Sequence, residues 1–250
     1  MLISIINRSA SLPDIELQTA IRAINRQIRE DFQPYWSFGA TLRLEGAIGS
    51  TADTVNLPDM RGDAVLYIVD AADTSEAYGW HFRNNSGIPY GFVFLDLCKK
   101  LGENWTVTLS HEALELIGDA QVNMLVSGPH PANPDHQVFH AFEMCDAVQA
   151  ETYLIDGVEV SNFVLPLYFT SGNETGGRND FLGNTHNGSS LSSFGISPGG
   201  YVNFFDPATG KYDSYFAKSD KKAEKRLKAK AKYEAGRGQM RSKSLLRGNG

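Results

Sequence analysis

Residues 105–119, Trp-Thr-Val-Thr-Leu-Ser-His-Glu-Ala-Leu-Glu-Leu-Ile-Gly-Asp, constrain this chain more than any other stretch. Ala113, Leu114, Leu116 and Ile117 supply apolar packing, Asn104 offers an N-cap and Gly118 a C-terminal stop, so the stretch predicts a buried helix. Within it stands His111-Glu112-x-x-Glu115. An α-helix advances about 100° and about 1.5 Å per residue, which puts His111 and Glu115 one turn apart on one face, close enough to grip one metal ion. Glu112 falls beside that face, where it can take a proton from a metal-activated water, as the Glu of H-E-x-x-H does. The pattern departs from H-E-x-x-H in one ligand, Glu for His, and a carboxylate oxygen is also a competent zinc ligand. The same residues suit an ordinary amphipathic helix with solvated charges. The strand-like run Gly91–Leu97 just before favours the metal reading, because it feeds a buried helix that carries the His-Glu pair.

Elsewhere the pattern alternates between strands and helices. Leu2–Ile6 reads as a short buried strand. Leu17, Ile21, Ile24 and Ile28 recur at helical spacing and predict a helix over 15–31, ended by Pro34. Leu42, Leu44 and Ala47 alternate with polar residues as in a half-buried strand, and Gly46 to Asp63 is a polar connection. Ala64–Val69 is apolar throughout, as a central strand must be. Tyr78 to Tyr90 reads as a loop containing His81. Gly128–Pro134, with three prolines, argues against regular structure there. Asp156-Gly157 and Asp206–Gly210 mark two hairpins, Phe163–Phe169 reads as an apolar extended segment, and the Gly-, Asn- and Ser-rich run 172–200 reads as a mobile loop or lid.

Four segments carry a resemblance: Ala77-Tyr-Gly-Trp-His-Phe82, Gly87-Ile-Pro-Tyr-Gly-Phe-Val-Phe94, Trp105–Asp119 and Phe142-Glu-Met-Cys-Asp-Ala-Val148. Together they resemble a family of bacterial and phage-associated proteins that look like zincin metallopeptidases with Glu as second ligand. The resemblance spans roughly residues 1–205 and departs at Ala120 and Ala147, where the family has Pro. It implies an α/β (α+β) zincin-like fold over 1–216, a mixed twisted sheet packed on the active-site helix, and a peptide or protein substrate. It also implies that Pro89–Leu95 is an edge strand holding substrate backbone by strand addition.

Catalytic zinc sites usually have three protein ligands. By the resemblance to zincins whose third ligand is a downstream Glu, Glu143 is the expected third, with Asp146 ligating or bonding the other nitrogen of His111; if 140–146 is helical the two share a face. His140, Cys145 and His81 are rivals, while His130, His136 and His186 read as surface histidines. A His-Glu-Glu set brings two negative charges to the metal, so Mn or Ca are conceivable beside the preferred Zn. The expected reaction is zinc-dependent peptide-bond hydrolysis with Glu112 as general base. The alternative is a non-catalytic interaction protein on the same scaffold, its metal structural or absent.

No run approaches the roughly 18 apolar residues of a membrane span, and the N-terminus has no basic start. The expectation is a cytoplasmic protein with no membrane partner, although leaderless export is compatible with the same features. Cys98 and Cys145, the only cysteines, are too few for a disulfide framework. From Lys218 onward there are 12 Lys and Arg against 3 Asp and Glu, and Leu227 and Tyr233 are the only large apolar residues of Lys221–Glu234, too few to bury a face, so 217–250 reads as an exposed or disordered tail. Nucleic acid is expected only as a partner of that tail. Truncation after Ala217 should leave the melting temperature nearly unchanged in thermal denaturation; a fall of many degrees would mean that the tail packs on the body.

Overall fold

The computed structural model describes residues 1–45, 62–71, 79–84, 87–170 and 177–217; the tail from 218 and most of the 46–63 connection lie outside them. In chain order the strands are β1 (Leu2–Asn7), β2 (Thr41–Glu45), β3 (Ala64–Val69), β4 (Gly79–Arg83), β5 (Pro89–Phe94), β6 (Leu125–His130), β7 (Asn133–Ala141), β8 (Thr152–Ile155), β9 (Val158–Ser161), β10 (Thr185–His186), β11 (Ser189–Ser190), β12 (Tyr201–Asp206) and β13 (Lys211–Phe216). The helices are α1 (Asp14–Arg26), α2 (Gln33–Trp36), α3 (Leu95–Leu101) and α4 (Trp105–Gly118), with a π-helical turn at Gln27–Phe32. These elements form two units: Met1–Gln121 with Thr152–Ser161, and Val122–Glu151 with the described residues from Asn162 onward.

The first unit is mixed α/β. Its sheet runs β2-β1-β3-β5-β4, parallel throughout except for the antiparallel edge strand β4. β3 is buried at every residue, as its unbroken apolar sequence requires. Tyr67 stacks on Phe92 at 5.1 Å and Phe92 on Phe94 at 5.9 Å, which ties β3 to β5 through aromatic contact. α1 buries Leu17, Ala20, Ile21 and Ile24, the stripe that its spacing predicts. Its helical course does not stop at Pro34. It widens into the π turn, which buries Gln27, Ile28 and Phe32, and Pro34 then sits at the start of α2, where a missing N–H costs little.

Two further expectations for this unit are corrected. The stretch around His81 is strand β4 rather than loop, because Gly79–Arg83 pairs along its length with β5. Consequently Pro89–Leu95 is not an edge: β5 lies between β3 and β4, and residues 95–97 already belong to α3. The β8–β9 hairpin turns at Asp156 (φ 51°) and Gly157 (φ 81°), the left-handed pair that a two-residue hairpin loop demands.

The second unit is built on an antiparallel sheet, β13-β12-β7-β6. The proline-rich segment expected to be irregular forms the β6–β7 hairpin instead. The ladder shifts register between Pro129 and His130, so the prolines fall at an irregularity and near a strand end, where ladder hydrogen bonds are dispensable. Residues 166–169 form a 3-10 turn rather than extended chain. Of the expected lid, residues 171–176 lie outside the described residues and 177–200 are tied down. Asn179 donates to Leu191 O at 2.8 Å, Tyr168 to Gly195 O at 2.8 Å, and Val164 bridges Asp180.

Leu66 is fully buried in β3 and Leu154 is 69% exposed in β8. Leu66→Ala should cost about 2–5 kcal/mol in denaturant unfolding, and Leu154→Ala about 0.5 kcal/mol or less.

Candidate metal centre

α4 begins where Asn104 Oδ1 accepts from Thr106 N at 3.2 Å, the expected N-cap. Every residue from Thr106 to Ile117 is buried, including His111, Glu112 and Glu115. Ionisable groups so enclosed must find partners, because an isolated buried charge costs several kcal/mol. His111 Nε2 lies 3.0 Å from Glu115 Oε1, the one-turn pairing read from the sequence.

His81 reaches the same helix from β4 and is fully buried. Its Nδ1 lies 3.2 Å from Glu112 Oε2 and 3.9 Å from Glu115 Oε2. The strand comes this close because position 79 has no side chain. A Cβ there would stand 2.7 Å from Thr108 Cγ2, 2.9 Å from the Phe92 carbonyl oxygen and 3.0 Å from Glu112 Cγ. Two imidazoles and two carboxylates therefore converge on α4 within the first unit.

Within this cluster, His111 and Glu115 offer one nitrogen and one oxygen at the spacing of metal ligands. Ligand bonds of about 2.0–2.1 Å in tetrahedral geometry put donor atoms about 3.4 Å apart. The His111–Glu115 separation of 3.0 Å is near that value; His81 lies 3.9 Å from the other Glu115 oxygen, and among the described residues no group of donors within 4.8 Å of one another holds both histidines.

Glu143 and Asp146 belong to the second unit and are buried there. The helix that would have given them a common face is absent: β7 runs to Ala141, and Asp146 opens a short 3-10 turn. Asp146 accepts from Tyr201 Oη at 2.5 Å and from Asn203 Nδ2 at 3.5 Å. With His140, Glu143 and Asn203 it lines a cavity of about 10 Å³, room for about one water-sized sphere. His140 Nε2 meets the Pro129 carbonyl at 2.8 Å, so that nitrogen carries the hydrogen. Burial pushes the His140 imidazole below its usual range, which keeps it neutral.

The remaining histidines have other partners. His136 faces Asp206 at 2.9 Å, His186 faces Glu151 at 2.9 Å, and His130 Nδ1 accepts from Ala132 N at 3.0 Å. Burial alone would raise the Glu151 carboxyl, but hydrogen bonds from Ser197, His186 and Asn184 outweigh it and hold it below its usual range. Burial pushes the Cys98 thiol up to about 12, so it stays protonated and is no nucleophile.

His81 was legible only as one rival among several. The signal that could have placed it is the short alternation of Gly79-Trp-His-Phe-Arg83, which suits a strand better than a loop. Gly79→Ala should destabilise the protein by about 1–3 kcal/mol in denaturant unfolding, since a backbone carbonyl and a packed helix cannot both yield. Compared with family models, curated proteins and solved structures, the chain matches none.

Proposed function

We propose that this protein is a metal-dependent hydrolase acting on peptide bonds, with its metal gripped by the α4 helix. The observation that carries the reading is the buried cluster of His111, Glu115 and Glu112 on one helix, joined by His81 from β4. His111 and Glu115 hold the ion, and His81 Nδ1 pairs with Glu112 beside them. When bound, zinc supplies Lewis acidity toward a carbonyl and toward water. Glu112 acts as general base. His81 Nδ1 lies 3.2 Å from its carboxylate, which fixes the direction in which Glu112 accepts a proton. Peptide as the substrate class rests on the likeness of the His-Glu-x-x-Glu helix to that of zincins.

One observation favours a second reading, a structural metal in a non-catalytic interaction protein. His81, Glu112 and Glu115 are at most 1% exposed, and structural metal sites are closed where catalytic ones keep an open position.

Metal analysis and a proteolysis assay on purified full-length protein separate the two. The protein should bind about one zinc per chain. His111→Ala and Glu115→Ala should each weaken zinc binding by more than about 100-fold, as loss of a direct ligand must exceed the 10–100-fold cost of losing a supporting group. Glu112→Gln should retain the metal and lose hydrolysis. Zinc bound without any hydrolysis of unstructured protein substrates would select the structural reading; absence of zinc binding would remove both metal readings.

A further inference from the structure

Apolar packing is non-directional, so a helix buried on every side has no solvent-facing stripe to fix its rotation about its own axis. α4 is such a helix from Thr106 to Ile117. A slip of one residue would swing its side chains by about 100° and carry His111 away from its partners. Close packing of unlike side chains limits its azimuth, and directional contacts fix it more sharply.

A closed ring of hydrogen bonds does so at Ser110, the residue before His111. Ser110 Oγ donates to Gln27 Oε1 at 2.7 Å, Gln27 Nε2 donates to the Ser161 carbonyl at 2.8 Å, and Ser161 N donates back to Ser110 Oγ at 3.2 Å. The ring joins α4, the π turn and β9. All three residues are fully buried. Gln27 Nε2 also lies 3.1 Å from Tyr153 Oη, which donates to Asp31 Oδ2 at 2.8 Å, so the network reaches from the interior to the far end of the π turn. One turn before Ser110 on the same face, Thr106 Oγ1 donates to the Glu159 carbonyl at 2.6 Å. α4 is thus pinned to β9 at two points one turn apart, while His111 and Glu115 occupy the neighbouring face.

The π turn belongs to this device. Such turns are uncommon, and they concentrate at functional sites because the widened turn re-aims side chains. Here it buries an amide side chain, Gln27, beside Ile28 and Phe32 in a helix whose other buried residues are apolar or alanine. A buried glutamine is costly unless its amide is satisfied, and the ring engages both its oxygen and its nitrogen.

We propose that Gln27 and Ser110 are positioning residues: their hydrogen-bond ring sets the rotation of α4 and thereby the ligand geometry of His111 and Glu115. The effect on metal rests on the reading of α4 as a metal-binding helix, but the control of the helix does not.

The test uses full-length protein, its Ser110→Ala, Gln27→Met and doubly substituted variants, and Ser110→Thr, which keeps the hydroxyl. Zinc affinity is measured by competition with a chromophoric chelator. Visible absorption of added Co²⁺ reports ligand geometry, and amide hydrogen exchange of residues 105–118 is followed in metal-free protein. Each single change should weaken zinc binding by about 10–100-fold, the range for groups supporting metal ligands, and should alter the Co²⁺ bands. The double variant should be no weaker than about threefold beyond the worse single, because both changes open one ring. Ser110→Thr should restore the Co²⁺ spectrum, and exchange should quicken in 105–118 relative to β1 and β3. Wild-type zinc affinity and Co²⁺ bands in the variants, with only a lower melting temperature, would overturn the positioning role. If the wild-type protein binds neither metal, the metal reading fails and exchange alone decides: acceleration confined to 105–118 upholds control of the helix by the ring, and unchanged exchange overturns it.

Discussion

A histidine and two glutamates sit on a helix with no solvent face, and much of the first unit is arranged to meet that cost. Moving an ionised side chain out of water costs several kcal/mol unless a partner compensates. His111 and Glu115 compensate each other along the helix, and His81 enters from the edge strand against Glu112. That approach requires a glycine at position 79, since any side chain there would strike Thr108, Glu112 and the Phe92 carbonyl. One antiparallel strand at the end of an otherwise parallel sheet is the element that delivers the second imidazole. Of these groups, His111 and Glu115 stand at the spacing of two ligands to one metal ion.

Burial and orientation are separate problems in this unit, and different interactions solve them. The apolar contacts of β1, β3, β5 and α1 exclude water and bury most of the area. Their shape limits rotation, but dispersion and the hydrophobic effect have no preferred direction of their own. The polar contacts are few but directional. Asn104 caps α4, Thr106 and Ser110 tie it to β9, and Gln27 closes the ring from the π turn. Polar side chains inside an apolar interior are costly, so their full engagement is what makes the interior both stable and specific.

The second unit uses the same rule with carboxylates. Glu151 is surrounded by donors from Asn162, Asn184, His186 and Ser197, and Asp146 by Tyr201 and Asn203. Glu151 thereby helps to hold a Gly- and Ser-rich segment whose Leu191 and Phe194 are also buried. His140, neutral and fixed by the Pro129 carbonyl, links the hairpin's irregular register to the small polar cavity beside Glu143.

Local pattern was enough for much of this molecule. The unbroken apolar run of Ala64–Val69, the stripe from Leu17 to Ile28, the cap and stop around Trp105–Gly118 and the Asp156-Gly157 turn each encode their element within a few residues, and each element forms. The pairing of His111 with Glu115 was legible for the same reason, since helical periodicity alone places them. Contacts distant in sequence decided the rest. Whether Gly79–Arg83 is loop or edge strand depends on β5 offering a free ladder, and only that pairing carries His81 to α4. Pro34 reads as a helix stop because the residues around it do not reveal a π turn that shifts it to a fresh helical start. Pro129 reads as a breaker because a register shift is visible only when two strands are paired. Gln27 and Ser110 look like unremarkable polar residues in sequence. Their role depends on meeting Ser161, far along the chain, where burial makes each hydrogen bond necessary.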